Sequence, residues 1–138
     1  MPLHVELVSP ERIAYSGEAK MVIARTVAGD IAFLPGHVPF VGVLQTHPVK
    51  VLQADDTALV IAVHSGFVEV AGGLDDTRVT ILSDVCELAD AIDIPRAEAA
   101  RDRAVHALAS DPDDEEAQAA LARAEVRLEV AGRIPTAP

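Results

Sequence analysis

Apolar residues in this chain come in short runs punctuated by turn residues from Leu3 to Leu82, and beyond Asp84 the spacing becomes helical. Runs rich in Val, Ile and Thr predict strands at 3–8, 12–16, 20–26, 30–34, 40–44, 49–53, 58–63, 67–70 and 78–82. Ser9-Pro10, Ser16-Gly17, Ala28-Gly29, Ala54-Asp55-Asp56-Thr57 and Gly72-Gly73 separate them. Short strands in such number, with no helix between them, favour an antiparallel β-sandwich or flattened barrel over a parallel sheet. Leu59-Val60-Ile61-Ala62-Val63 is apolar on both faces, so that strand belongs mid-sandwich or beneath another element.

After Asp84 the composition turns to alanine, arginine and acid. Asp93 can cap a first helix by accepting its free N–H groups, and Pro95 fits the first turn, where its missing N–H costs nothing. Ile94, Ala97, Ala100, Ala104, Ala107 and Leu108 form the apolar stripe, and the helix should end near Ala109. Asp111-Pro112-Asp113-Asp114-Glu115-Glu116 reads as a second start, with Asp111 as cap and Pro112 in the first turn. Ala117, Leu121, Ala124 and Leu128 give the second stripe, and Gly132 with Pro135 marks the stop. The expected organisation is β + α: a β-sandwich over residues 1–85, then a linker and two-helix antiparallel hairpin over 86–138. Alanine stripes favour helix formation but bury little, about 0.8 kcal/mol per methyl-sized group, so the hairpin is expected to undock at low cost.

Gly29 to Phe40, reading Gly-Asp-Ile-Ala-Phe-Leu-Pro-Gly-His-Val-Pro-Phe, interrupts the strand chemistry with two prolines and a histidine. A connection meant only to turn the chain is shorter and more polar, so Phe33, Leu34, Val38 and Phe40 are expected to pack on something.

Composition narrows the function classes. Hydrophobic residues make up 50% but aromatics only 3%, so small aliphatic side chains must fill the core. The net charge of -11 argues against a nucleic-acid partner, because no cluster of Lys and Arg is present to displace counterions. Cys86 is the sole cysteine, and His4, His37, His47, His64 and His106 lack zinc-ligand spacing, so no metal site is expected. The start of the chain does not read as a secretory signal, and the aliphatic run 58–63 is far short of the ~20 residues that span a bilayer. A soluble, intracellular protein without direct membrane insertion is expected. No phosphate-cradling loop or nucleophile elbow appears, which points to a non-enzymatic chain.

The loop 29–40, then Gly66-Phe67-Val68-Glu69-Val70, then Val79-Thr80-Ile81-Leu82-Ser83-Asp84, then Ile92-Asp93-Ile94-Pro95-Arg96-Ala97 opening a helix, follow in one order. Together with the β half and helical hairpin, from Leu3 to Gly132, they resemble the bacterial type of the epsilon subunit family of F-type ATP synthase. Three positions depart from the family pattern: Asp30 and Ala32, where Gly29-Asp30-Ile31-Ala32 stands for Gly-Glu-Ile-Gly, and Ser65, where a second glycine is usual.

The resemblance implies a non-catalytic rotor subunit of a proton-translocating ATP synthase, peripheral to the cytoplasmic face of the cell membrane. It implies a sandwich at the foot of the central stalk against the gamma subunit and the c-subunit ring. Asp30, Phe33, Leu34, His37, Val38 and Phe40 would supply that contact, with Asp30 and His37 near the polar loops of the ring. The hairpin would fold against the sandwich or extend along gamma into the alpha/beta catalytic head, where it inhibits ATP hydrolysis.

No cofactor is required, but some family members bind ATP between hairpin and sandwich as a regulatory ligand. The matching positions are Ile92, Asp93, Arg96 and Ala97, with Glu87 upstream and Arg103, Arg123 and Arg127 downstream. The chemistry fits, since spaced arginines meet phosphates through charge-assisted hydrogen bonds and a carboxylate can pair with an adenine edge. The plainer reading makes Asp93 only a cap, the arginines only solvated faces of acidic helices, and His37 an exposed turn residue. A stand-alone ATP-sensing binding protein is the alternative function. Beyond Asp90 the chain carries 10 acidic and 6 basic residues, so only the patches Arg101/Arg103 and Arg123/Arg127/Arg133 can face an acidic surface, and weak or modest inhibition is expected.

Overall fold

The computed structural model describes residues 2–133. Nine strands come first among these: β1 (Leu3–Val8), β2 (Ile13–Thr26), β3 (Gly29–Phe33), β4 (Phe40–Leu44), β5 (His47–Gln53), β6 (Ala58–Val63), β7 (Gly66–Ala71), β8 (Arg78–Leu82) and β9 (Cys86–Leu88). A single 3-10 turn, Ala89–Ala91, leads into α1 (Ile94–Ser110) and α2 (Glu115–Val130).

The strands run β1-β8-β7-β4-β2-β5-β6-β9, with β3 beside β2, and β1 also pairs β2, which folds the sheet back on itself as a flattened barrel. Pairing is antiparallel except between β1 and β8. Alternation places Leu3, Val5 and Leu7 of β1 inward opposite Val22, Phe33, Val51, Ile61, Val68 and Ile81, all essentially free of solvent. The core is aliphatic with Phe33 as its largest side chain.

Two strands expected at 12–16 and 20–26 are one. Gly17 does not turn the chain; it lies opposite Val5 in extended backbone, and the Tyr15 hydroxyl lies 2.8 Å from where a Cβ would stand. The aromatic ring fills the space that glycine leaves, so the residue marks a packing need rather than a break. The resulting 14-residue strand pairs β1 with its first half and β3 and β5 with its second. Strand structure also continues past residue 85, as Cys86–Leu88 pairs with Ile61–Val63. Three residues are too few for periodicity to announce.

The first helix is capped as expected: Asp93 Oδ1 accepts the Arg96 N–H at 3.1 Å, and Pro95 occupies the first turn. The second is capped by Asp114, which accepts the Ala117 N–H at 3.0 Å, rather than by Asp111. Asp111 closes α1 through its N–H to the Ala107 carbonyl and accepts the Asp113 N–H on its own carboxylate. Pro112 disfavours helical geometry in the residue before it, so it sits in the connection and the helix starts later. At the far end Gly132 takes φ +79, with Gly132 N–H to Glu129 O and Arg133 N–H to Leu128 O closing the last turn. Pro135, expected beyond that stop, lies outside the described residues.

Two kinds of contact hold the hairpin. Ala97 and Ala104 of α1 and Ala117 and Ala124 of α2 are buried as the stripes require. Val126 and Val130, which no stripe included, cluster with Ala62 of β6 and Ile92. The second apolar face of β6 is therefore covered by α2. Burying two valines and an isoleucine is worth roughly 5–9 kcal/mol before ordering costs, so the joint to the sandwich is firmer than alanine alone implies.

Candidate functional site

The linker from β9 to α1 and the inner face of α2 enclose a hollow of about 250 Å³ lined by Glu87, Asp93, Arg96, Ala97, Arg103 and Arg127, with Ala91 and Ala100 as small wall residues. Six of the eight nucleotide positions expected from sequence thus converge, five from the continuous stretch 87–103 and Arg127 from α2. The helix period does this on α1: positions 93, 96, 97, 100 and 103 recur at three and four residues and share one face.

The remaining two positions separate from the hollow. Ile92 is 8% exposed and turns into the cluster with Ala62, Val126 and Val130, so it anchors the hairpin instead of facing a ligand. Arg123 lies in an adjoining groove of about 380 Å³ between α1 and α2, which shares Ala100, Arg103 and Arg127 with the first hollow. It pairs there with Glu116 at 3.1 Å. The larger groove is at the low end of the roughly 300–1,000 Å³ typical of small-molecule sites, and the two adjoin through Arg103 and Arg127.

Glu87 is the hub. Its Oε1 accepts Arg127 Nε at 2.7 Å and His64 Nε2 at 2.9 Å. The His64 hydrogen bond, joined by the hydrogen bond and charge of Arg127, holds the Glu87 carboxyl below its ordinary value, against burial, which pushes it up. Sequence reading missed His64, because a residue 23 positions away at a strand end carries no periodic or motif signal. Asp93 both caps α1 and lines the hollow, so its role as cap does not take it away from the site.

The loop 29–40 divides by burial. Phe33 is fully buried in the core and is unavailable for outside contact. It stacks edge-on to His37 at 5.1 Å and lies 5.8 Å from half-buried Phe40. His37 Nδ1 donates to the Val38 carbonyl at 2.7 Å, so the ring braces the loop. Leu34 and Val38 point outward, 52% and 69% exposed. Asp30 is exposed and held by Arg25, with contacts of 2.7 and 3.3 Å, and this hydrogen-bonded pair lowers the Asp30 carboxyl.

An apolar surface that the sequence did not single out lies on β4, β7 and β8. Val43 pairs with Phe67 and Phe67 with Leu82, and all three are 45–55% exposed. Beside them is a hollow of about 480 Å³ that also takes in Val8 and Pro10. Contiguous exposed apolar side chains of this kind mark contact surfaces.

Comparison with known proteins agrees with the two-part fold. Residues 2–89 match the family model of the ATP synthase delta/epsilon chain β-sandwich domain, and residues 90–132 that of its long α-helix domain. The chain is 44% identical over 126 residues to the ATP synthase epsilon chain of Streptomyces griseus, covering 91% of this chain and 92% of the relative. It is 46% identical over 131 residues to that of Thermobifida fusca, covering 94% and 91%. In fold it is similar to a chain of the Euglena gracilis mitochondrial ATP synthase, solved as OSCP/F1/c-ring, with TM-score 0.69 and 20% identity over 96% of this chain and 78% of that one.

Proposed function

The chain belongs to the ATP synthase delta/epsilon chain family, and from that membership we propose that it is a rotor subunit joining gamma to the c-ring and restraining ATP hydrolysis through its hairpin. The observation that carries this reading is the division of the molecule into two unlike surfaces. One is apolar and exposed: Val43, Phe67 and Leu82 on the sandwich, with Leu34 and Val38 at the loop. This is the surface offered to gamma and the ring, with Asp30 at the β2–β3 turn facing the polar loops of the ring. The other is the cationic hollow at the root of the hairpin.

The proposed subunit does no chemistry itself. It attaches peripherally, on the cytoplasmic face, as part of the complex; among the described residues no helix is long and apolar enough to cross a membrane. Support for the assembly comes from its structural neighbours, one of which was solved in a Tetrahymena thermophila central stalk/c-ring complex, at TM-score 0.56. ATP acts as a regulatory ligand in this reading: Arg96, Arg103 and Arg127 receive the phosphates, Asp93 and Glu87 frame the base and ribose, and occupancy favours the folded hairpin. A pull-down in which the chain retains gamma supports the rotor reading, and failure to retain it overturns that reading.

The same hollow favours a second reading, a free nucleotide sensor. Gamma retention separates the two: a sensor binds ATP and retains no gamma, whereas the rotor subunit retains gamma.

A further inference from the structure

We propose that His64 is a positioning residue for the hinge hollow, holding Glu87 in place so that Arg127 can pass between the carboxylate and a bound anion. His64 follows the last residue of β6, with its side chain 4% exposed, and it does not line the hollow. Its backbone N–H donates to the Val85 carbonyl at 3.2 Å, which fixes the residue to the segment entering β9. The ring then reaches Glu87 from the sandwich side. A carboxylate accepts and does not donate, so Nε2 carries the hydrogen of the 2.9 Å bond. Nδ1 is buried and has no partner among the described residues, so the ring is committed to this one contact.

The second bond to Glu87 gives that contact its purpose. Arg127 Nε meets the same oxygen, Oε1, at 2.7 Å, tying α2 to β9, and Arg127 also borders both the hollow and the adjoining groove. Glu87 is only 22% exposed. Were Arg127 its sole partner, any phosphate that drew the guanidinium away would leave a partly buried carboxylate unpaired beside an incoming anion, a costly arrangement. His64 removes that conflict. With Glu87 held from behind, Arg127 is shared between the docked latch and the ligand, and the carboxylate keeps a donor in both states. The ligand half of this proposal rests on the nucleotide reading above; the latch half does not.

The experiment uses the full chain. Amide hydrogen exchange across α2 reads hairpin docking without nucleotide, and calorimetry with ATP reads the ligand half. His64→Val, which removes the donor, is expected to raise α2 exchange and weaken ATP binding, each about tenfold. His64→Gln keeps an N–H at similar reach and is expected to stay within about threefold of the parent chain. In an Arg127→Gln background His64→Val should add little, because its effect passes through Glu87 to Arg127; equal effects in both backgrounds would overturn the proposal. Should His64→Val not fold, the imidazole Nε2–H resonance decides: it should shift in Arg127→Gln, and an unmoved resonance would also overturn the proposal. A parent chain that binds no ATP ends the nucleotide reading, and the exchange measurements still judge His64.

Discussion

Glu87 and Arg127, 40 residues apart in sequence, meet at 2.7 Å and tie the last strand of the sandwich to the second helix of the hairpin. The contact joins the part of the molecule proposed to attach to the part proposed to regulate. Beside it Val126 and Val130 supply the apolar share of docking, so the polar pair sets geometry more than total stability.

Replacing Arg127 by Gln should open the hairpin by about 1–2 kcal/mol without unfolding the sandwich. Hydrogen exchange checks this: α2 amides should exchange faster while those of β1, β2 and β5 keep their protection. Unchanged α2 protection would show that the pair is incidental.

Acid should weaken docking in a defined direction. The Glu87 carboxyl is held below its ordinary 4.5 in the folded chain, chiefly by His64 and then by Arg127. A carboxyl lowered on folding contributes stability that is complete above its unfolded value and lost as pH falls through the folded one. Hairpin docking should therefore be level in this respect above about pH 4.5 and loosen below it. Arg127→Gln should shrink the acid-sensitive part, which amide exchange or cleavage of the hairpin by an acid protease would follow.

Two adjacent positions should respond oppositely to small changes. Ser65 holds φ +63, a left-handed conformation that costs an L residue about 1–2 kcal/mol, so Ser65→Gly should gain a few tenths to about 1 kcal/mol after the added freedom of the unfolded chain is counted. Gly66 has φ +139, and a Cβ there would stand 2.1 Å from the Leu82 carbonyl oxygen. Gly66→Ala should lose more than about 2 kcal/mol. Denaturant midpoints measure both.

Removing the residues after Asp90 should raise hydrolysis by an assembled complex only modestly. In the proposed function an inserted tail would set basic residues against an acidic surface, and this tail carries 10 acidic and 6 basic residues. A many-fold rise at several ATP concentrations would contradict the prediction.

What could be read in advance follows from the range of the forces involved. Asp93 and Pro95 announce α1 because capping acts over three residues, and the apolar β6 announces a covering element because burial on two faces leaves no polar alternation. Gly17 misled because glycine signals both turns and close packing, and only the Tyr15 ring three-dimensionally beside it distinguishes them. Asp111 and Asp114 compete as caps within four residues, and Pro112 settles the choice through backbone geometry. On the candidate site, Arg96, Ala97 and Arg103 are named from the family resemblance, and the helical period accounts only for their sharing one face of α1. Their meeting with Arg127, the withdrawal of Ile92 and Phe33 into packed clusters, and the His64 contact depend on tertiary pairing that linear spacing does not encode.

The proposed division of labour is tested most directly by gamma retention in two variants of the full chain. One carries Val43→Asp with Phe67→Asp on the exposed sandwich face, and the other carries Arg103→Gln with Arg127→Gln in the hollow. Retention should be lost in the first, which keeps its ATP response, and intact in the second, which loses that response. Gamma retained equally by the parent chain and the sandwich-face variant, or lost with the hollow variant alone, would contradict the account.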